Sequence, residues 1–471
     1  MLYSDSLSRL SHEKLQRIVL YELPVGSEQT RRIVTRWLTL ALVSLIAAGV
    51  FSILLVLART PVVQGWIPLI DFFRIALVVH VNLSVLIWLL SVAAALWSLS
   101  VSKQMPQLDR ASFLLAATGT GIIIVAPFAG AGDPLMSNYV PVLQHPLFFA
   151  GLGVFACGIS VHLLRTLFAF RPLGPQLTGS AALQSGISLS ALVTGLAIVA
   201  VLASFLALPR SMDGQIYYEF LFWGGGHVIQ FAYTLLMMVC WAVLASAGGY
   251  RVELTPRLAL VFLIFLCLPI ITVPFLYLAH DVTSPGHRLA FTELMKYGGL
   301  SCLPFGLAIF SSFFNGIQPV GEGRYLRSAL ISSLLLFACG GVLGFMIAGL
   351  DIVIPAHYHG ATVGVTIAFM GITYYLLPRL GFGPLPPTLT YWQPYLYGGG
   401  QLMHIIGLAW TGGYGVQRKT AGLAQGVDRA GEIAGMGLMG LGGLVSVIGG
   451  LLFLVVAWKS MRGRRGSRAV G

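Results

Sequence analysis

The feature that most constrains this chain is a series of apolar runs, each about 20 residues long, that repeats along its whole length. A helix of that length crosses the hydrocarbon layer of a bilayer. Only 9% of the 471 residues are charged and 57% are hydrophobic, whereas a soluble protein carries about a quarter charged residues. The pattern predicts an all-α polytopic membrane protein, a bundle of about twelve transmembrane helices. Their predicted centres are Ile46, Leu86, Ile122, Phe155, Thr194, Tyr233, Phe265, Phe305, Leu336, Val365, Ile405 and Val445.

The distribution of Lys and Arg predicts the orientation of this bundle. Most of these residues lie in the connections on one side, which the positive-inside rule assigns to the cytoplasm together with both termini. Membrane topology therefore explains the net charge of +12, and nucleic acid is not an expected partner. We expect a cytoplasmic segment over 1–33, a transmembrane domain over 34–460 in the inner (cytoplasmic) membrane, and a basic cytoplasmic tail over 461–471.

Histidines on four predicted helices share one depth near the outer side of the membrane. They are His80, His227, His280, His357 and His359. A single buried histidine is most often a packed polar residue bound to a backbone carbonyl. Five at one depth favour a functional site, because ionisable groups are costly in a membrane and imidazole is a common ligand of metals and haem. His145 and His404 are interpreted as ordinary polar residues, and His12 and His162 lie outside this layer.

The stretch "DIVIPAHYHGAT" places His357 and His359 two positions apart at the start of predicted span ten. Successive residues of an α-helix are rotated by about 100°, so these two side chains point to opposite faces of the helix. They therefore cannot bind the same metal. Each can bind a different one, on either side of span ten.

This H-x-H motif, together with the other histidines, resembles the catalytic subunit I of the haem-copper oxidase superfamily over roughly the whole chain. The resemblance implies that 34–460 is a subunit I-like transmembrane domain with two haems, expected to be b-type. It implies that His357 binds the high-spin haem, and that His80 and His359 are the two axial ligands of the low-spin haem. The stretch "HVNLSVLIWLL" around His80 resembles the nitric oxide reductase branch, from whose usual pattern the chain departs elsewhere.

The resemblance also implies a second metal. In the family a histidine on span six and a His-His pair at the end of span seven hold it. His227 matches the first position, but the pair is replaced by His280 and Asp281. Two histidines and one carboxylate suit non-haem Fe(II) better than copper. Non-haem iron is therefore the expected metal, with copper as the alternative.

Two aromatic positions bear on the substrate. One oxygen-reducing branch of the family places a tyrosine four residues after the span-six histidine, where this chain has Phe231. Other branches use a tyrosine from span seven, and Tyr277 keeps that alternative open. The resemblance thus implies reduction of nitric oxide to nitrous oxide, with a terminal respiratory oxygen reductase as the alternative. A transporter or degenerate haem subunit is a distant alternative, because carriers more often show broken helices and charged midplane residues.

The remaining candidates concern haem anchoring, protons and electrons. The family holds haem propionates with a basic pair that would here be Arg418 and Lys419, for which a plain surface pair is the alternative. Glu219 and Glu293 are candidate proton relays from the outer side, although Glu293 also shares a helix face with Lys296 as an ion pair would. The sequence contains no CxxCH haem-attachment motif. Electrons are therefore expected from a separate periplasmic subunit, cytochrome c-like or cupredoxin-like.

Overall fold

The computed structural model describes residues 20–59, 72–130, 132–171, 174, 176–316, 323–347, 352–413 and 430–463. Long helices account for most of these residues. They are α1 (Glu28–Arg59), α2 (Phe72–Val81), α3 (Trp88–Trp97), α4 (Pro106–Val125), α5 (Pro146–Phe168), α6 (Gly179–Ala207), α7 (Gly214–Ala247), α8 (Pro256–Cys267), α9 (Val273–Ala279), α10 (Pro285–Gly298), α11 (Leu303–Ser311), α12 (Gly323–Phe345), α13 (Val353–Arg379), α14 (Pro387–Gly412) and α15 (Ala430–Arg462). A two-stranded hairpin, β1 (Pro134–Leu135) and β2 (Val142–Leu143), lies in the loop before α5.

The predicted all-α membrane fold is confirmed. Within the described residues, eleven helical stretches are long and apolar enough to cross a membrane. The predicted span centred on Ile405 corresponds to α14, a helix of 26 residues, so each of the predicted centres lies in a helix. The two most buried spans are those formed by α7 and α13, each 89% buried inside the protein. These two helices, which carry three of the candidate histidines, therefore form the centre of the bundle.

Two spans are interrupted near candidate residues. Immediately after His80, α2 widens into a π-helical turn, Asn82–Ile87, before continuing as α3. Asn82 stabilises the turn by donating from Nδ2 to the carbonyls of Val78 (2.9 Å) and Pro141 (2.7 Å). Single π-helical turns often occur at functional sites. Span seven is split into α8 and α9 by a 3₁₀ turn that begins at Pro269, whose ring nitrogen has no hydrogen to donate.

Close helix packing fixes the position of α13. A Cβ atom at Gly340 on α12 would collide with the backbone nitrogen of Ala361, and one at Gly360 would lie 2.6 Å from the Cα of Gly340. Small residues at such a contact allow two helix backbones to approach closely. The two facing glycines therefore hold α13, with His357 and His359, tightly against α12.

A buried ion pair joins α4 to α5. Arg165 Nε lies 2.8 Å from Asp109 Oδ1, and Arg165 Nη2 donates to Asp109 Oδ2 at 3.1 Å. The two side chains are 0% and 3% exposed. Removing one partner of such a pair leaves an uncompensated buried charge, which is strongly destabilising.

We expect Asp109→Asn to lower the free energy of unfolding by about 3–5 kcal/mol, because Arg165 would remain charged without its partner. Denaturant titration of the purified protein in detergent measures the effect. The matched control is Glu28→Gln, which breaks the exposed pair between Glu28 and Arg32 and should change little. Equal stability of the two variants would contradict the prediction.

Candidate redox site

A cavity of 2640 Å³ runs through the bundle, and we call it the histidine cavity. Histidines of four helices line it: His80 of α2, His227 of α7, His357 and His359 of α13, and His404 of α14. Ordinary ligand pockets measure about 300–1,000 Å³. The volume therefore accommodates more than one large cofactor, and the mainly apolar lining suits a flat apolar group such as haem.

The histidines of the cavity share one hydrogen-bonding arrangement. In each histidine, Nδ1 lies within 2.9 Å of a backbone carbonyl oxygen. The pairs are His80 with Ala48, His227 with Trp223, His357 with Gly340, His359 with Pro355, and His404 with Met439. A carbonyl can only accept, so Nδ1 carries the proton and Nε2 is the basic nitrogen. Metal-bound histidines are oriented in this way. The residues of the cavity therefore fit haem ligation through Nε2.

His80 and His359, the predicted axial pair, both line this cavity. His404 lines the cavity beside His359. The rings of His359 and His404 have centroids 5.1 Å apart. The sequence-based interpretation of His404 as an ordinary polar residue did not place it in the cavity, because its contact with His359 joins two helices distant in the sequence.

His357 and His359 project toward different neighbours, as their spacing predicts. His357 bonds to Gly340 of α12, and a Cβ atom at Gly344 would lie 2.7 Å from its Nδ1. His359 instead faces His404 of α14. One helix thus presents an imidazole on each of two faces, and both imidazoles line the same cavity.

His227 is enclosed by aromatic rings. Its ring centroid lies 4.8 Å from that of Trp223, 5.1 Å from that of Tyr139 and 6.1 Å from that of Phe291. The Tyr139 hydroxyl lies 3.0 Å from Nδ1 and 3.1 Å from Nε2 of His227, at the edge of its ring. Burial raises the pKa of Tyr139, so the phenol keeps its proton. A Cβ atom at Gly226 would collide with the Tyr139 ring. The only sequence signal for this contact is therefore the glycine run in "WGGGH".

Asp281 occupies an exposed turn between α9 and α10. Its Oδ1 accepts from the backbone nitrogen of Thr283 at 2.8 Å and from the Thr283 hydroxyl at 2.5 Å. These hydrogen bonds lower the pKa of Asp281. In the part of the chain that the structure describes, no three His, Cys, Asp or Glu side chains are arranged to hold a metal. The set of His227, His280 and Asp281 is therefore not assembled here, and Asp281 as a ligand stays a prediction.

The candidate proton relays line the cavity, whereas the candidate tyrosine, Tyr277, is hydrogen-bonded to α6. Glu219, Glu293 and Lys296 line the cavity. Among the described residues no ion pair joins Glu293 to Lys296, whose Nζ lies 5.4 Å above the Phe345 ring. Tyr277 instead donates to the carbonyl of Ala200 on α6 (2.8 Å) and lies 2.9 Å from the Ser204 hydroxyl. Its hydroxyl is therefore held by α6.

The predicted propionate partners, Arg418 and Lys419, lie outside the described residues. Two other cations, Arg288 and Lys296, line the cavity. The guanidinium carbon of Arg288 lies 5.6 Å from the centroid of the Phe220 ring, and this contact holds the side chain in place. These side chains provide positive charge where a haem carboxylate can be neutralised.

Comparisons with known proteins agree with this geometry. The family described as Cytochrome C and Quinol oxidase polypeptide I matches residues 32–452. An uncharacterized protein of Rickettsia prowazekii is 30% identical over 90% of this chain and 95% of its own length. Cytochrome c oxidase subunit 1 of Thermus thermophilus is 24% identical over 84% of this chain and 77% of its own length.

The fold is also that of a solved structure. A cryo-EM structure of a heme-copper terminal oxidase dimer superposes with a TM-score of 0.72 and 17% identity, covering 93% of this chain and 84% of that one. Membership of the family implies haems and a metal centre. The chain belongs to the cytochrome c and quinol oxidase polypeptide I family, and it is a membrane oxidoreductase of the haem-copper oxidase superfamily.

Proposed function

We propose that this protein reduces nitric oxide to nitrous oxide at the histidine cavity: 2 NO + 2 e⁻ + 2 H⁺ → N2O + H2O. The observation that carries the proposal is the pair His357 and His359, which open to one cavity from two faces of α13 with Nε2 unprotonated. His80 and His359 would hold the low-spin haem, and His357 the high-spin haem, both expected to be b-type. When bound, the haems would supply electron transfer and a binding position for the gas.

The protein contributes rigidity to this site. His357 and His359 share a central helix that is 89% buried and packed closely against α12. Two cofactors held on its two faces keep a fixed separation, because no loop or hinge lies between their ligands. Functional groups on rigid elements hold their geometry more closely than groups on loops.

Two aromatic residues favour nitric oxide over oxygen. Phe231 is 1% exposed and has no hydroxyl to donate a proton or an electron. The Tyr277 hydroxyl bonds to Ala200 and Ser204 of α6. Phe231 thus lacks the hydroxyl that one oxygen-reducing branch uses, and the Tyr277 hydroxyl is engaged by α6.

Oxygen reduction is the second candidate, and one contact favours it. Tyr139 brings a phenol into the cavity, with its hydroxyl 3.1 Å from Nε2 of His227. A phenol at that position can donate a proton to a reduced oxygen atom. In this candidate Tyr139, which lies in a loop, supplies the hydroxyl that Phe231 lacks.

Protons and electrons are proposed to arrive from the outer side. Glu219 interacts electrostatically with Tyr139, and both residues line the cavity with His227. Glu293 lines the same cavity. Electrons would come from a separate periplasmic subunit, cytochrome c-like or cupredoxin-like. The second metal, non-haem iron with copper as the alternative, is proposed at His227.

Gas consumption by the purified, haem-loaded protein tests the function. With a reduced artificial electron donor, we expect NO to be consumed and one N2O formed for every two NO, faster than O2 is consumed. His357→Ala is expected to abolish the reaction, while His145→Ala, outside the cavity, should retain it. Rapid O2 consumption without NO consumption would favour the second candidate, and consumption of neither gas would contradict both.

A further inference from the structure

Asn82 fastens two walls of the histidine cavity to each other. It is the first residue of the π-helical turn that follows His80, and it is 1% exposed. Its Nδ2 donates to the carbonyl of Val78 at 2.9 Å, within α2, and to the carbonyl of Pro141 at 2.7 Å. Pro141 ends the hairpin loop (136–141) between β1 and β2, and the residues of this loop line the cavity. One amide group thus joins the helix that carries His80 to the loop.

The orientation of this amide leaves one of its atoms without a partner. Both carbonyl oxygens can only accept, so the NH2 group of Asn82 must face them. Among the described residues its Oδ1 atom then has no hydrogen-bond partner, although it is buried. Leaving a buried polar atom unsatisfied lowers the stability of a protein. An asparagine at this position is therefore better explained by the loop that it holds than by the stability of the helix.

The hairpin loop carries Tyr139, two residues before Pro141. The hydroxyl of Tyr139 lies 3.0 Å from Nδ1 and 3.1 Å from Nε2 of His227. Within the loop, the Ser137 hydroxyl donates to the carbonyl of Val140 at 2.5 Å, which tightens the turn. A tight turn that is fastened at Pro141 thus determines where the Tyr139 hydroxyl lies.

We propose that Asn82 is a positioning residue for the reaction in the histidine cavity. By holding Pro141, it keeps the Tyr139 hydroxyl beside His227, where the hydroxyl donates a hydrogen bond to the reacting gas. This inference rests on the proposed function, because it assigns a role to residues of the same cavity. A donor that is fixed in advance stabilises developing charge without reorganising during the reaction. The role requires a hydrogen bond in a fixed place and no transfer of the phenol proton.

Two substitutions at position 82 separate the bond to the loop from the bond within α2. Asn82→Leu removes both bonds, whereas the shorter hydroxyl in Asn82→Ser can still bond to the Val78 carbonyl and cannot also hold the loop. Hydrogen exchange of the backbone amides in the hairpin loop measures how firmly the loop is held. We expect this exchange to be roughly tenfold faster in both variants. The matched control is Ser84→Ala, which removes a hydrogen bond to the His80 carbonyl in the same π-helical turn and should leave the loop unchanged.

A double-mutant cycle with Tyr139→Phe shows whether Asn82 acts through Tyr139. The infrared band of carbon monoxide bound to the reduced, haem-loaded protein reports hydrogen bonds to a diatomic gas. We expect Tyr139→Phe to shift the C–O band, Asn82→Leu to broaden it and shift it toward the same position, and Ser84→Ala to keep the wild-type band. Turnover should fall roughly tenfold in Asn82→Leu and in Tyr139→Phe, and the double variant should be no slower than Tyr139→Phe.

Retention of both haem spectra identifies variants that are correctly folded, and Asn82→Ser serves if Asn82→Leu fails to fold. A wild-type C–O band in a folded Asn82 variant would overturn the proposal, as would an unchanged band in Tyr139→Phe. Further loss of turnover in the double variant would show that Asn82 acts independently of Tyr139, and would overturn it too. The proposed function is tested separately, because a protein that consumes no NO but shows these band shifts would keep the positioning of Tyr139 and contradict only the proposed reaction.

Discussion

Replacing His80 or His359 with alanine is expected to remove the low-spin haem spectrum while high-spin haem remains. Each change would delete one Nε2 donor of the proposed axial pair, and a haem iron left with a single imidazole ligand would become high-spin. His357 keeps its bond to Gly340 in both variants, so the high-spin position is undisturbed. Optical difference spectra of the reduced protein, with haem quantified per chain, measure the two haems separately.

His404→Ala is the matched control for this experiment. His404 lines the same cavity and has the same Nδ1 bond to a carbonyl, but it lies beside His359 rather than in the predicted axial position. We expect this variant to retain the low-spin signal. Loss of that signal in His404→Ala, with retention in His80→Ala, would transfer the axial role from α2 to α14.

Glu219→Gln is expected to slow turnover by about 100-fold, the lower part of the range for loss of a positioned proton donor. The carboxyl lines the cavity near Tyr139, whereas the amide cannot be deprotonated. Both haem spectra should be unchanged, because the proposed haem ligands lie on α2 and α13. The rate of steady-state NO consumption is measured across pH in Glu219→Gln and, for comparison, in Glu293→Gln. The two rates show how much each carboxylate contributes to proton delivery.

The same proposal predicts the electrical behaviour of the protein in sealed vesicles. If protons and electrons both reach the cavity from the outer side, turnover moves no net charge across the membrane. A voltage-sensitive dye should therefore report no potential during NO reduction. A clear potential, with proton uptake from the cytoplasmic side, would show that Glu219 and Glu293 do not supply the site.

The sequence predicted the residues whose positions depend on local helix geometry. The rotation of about 100° per residue already places His357 and His359 on opposite faces of one helix. The long apolar runs similarly determine where the helices lie. Asp281 lies past the end of a helix, where helix geometry does not predict the direction of its side chain. His280 has an extended backbone (φ −133°, ψ 134°) at the end of α9, so the next side chain does not follow the direction of a helical neighbour.

The sequence by itself thus determined the membrane fold, the helices and the opposite faces of His357 and His359, because apolar length and helical periodicity are properties of single segments. Only the tertiary structure decided which other groups join the histidines of the cavity. Tyr139 reaches His227 from a loop, and His404 reaches His359 from α14. These contacts depend on how separate helices pack, and packing is set by long-range steric fit, including the close approach at Gly340. No local pattern encodes that fit.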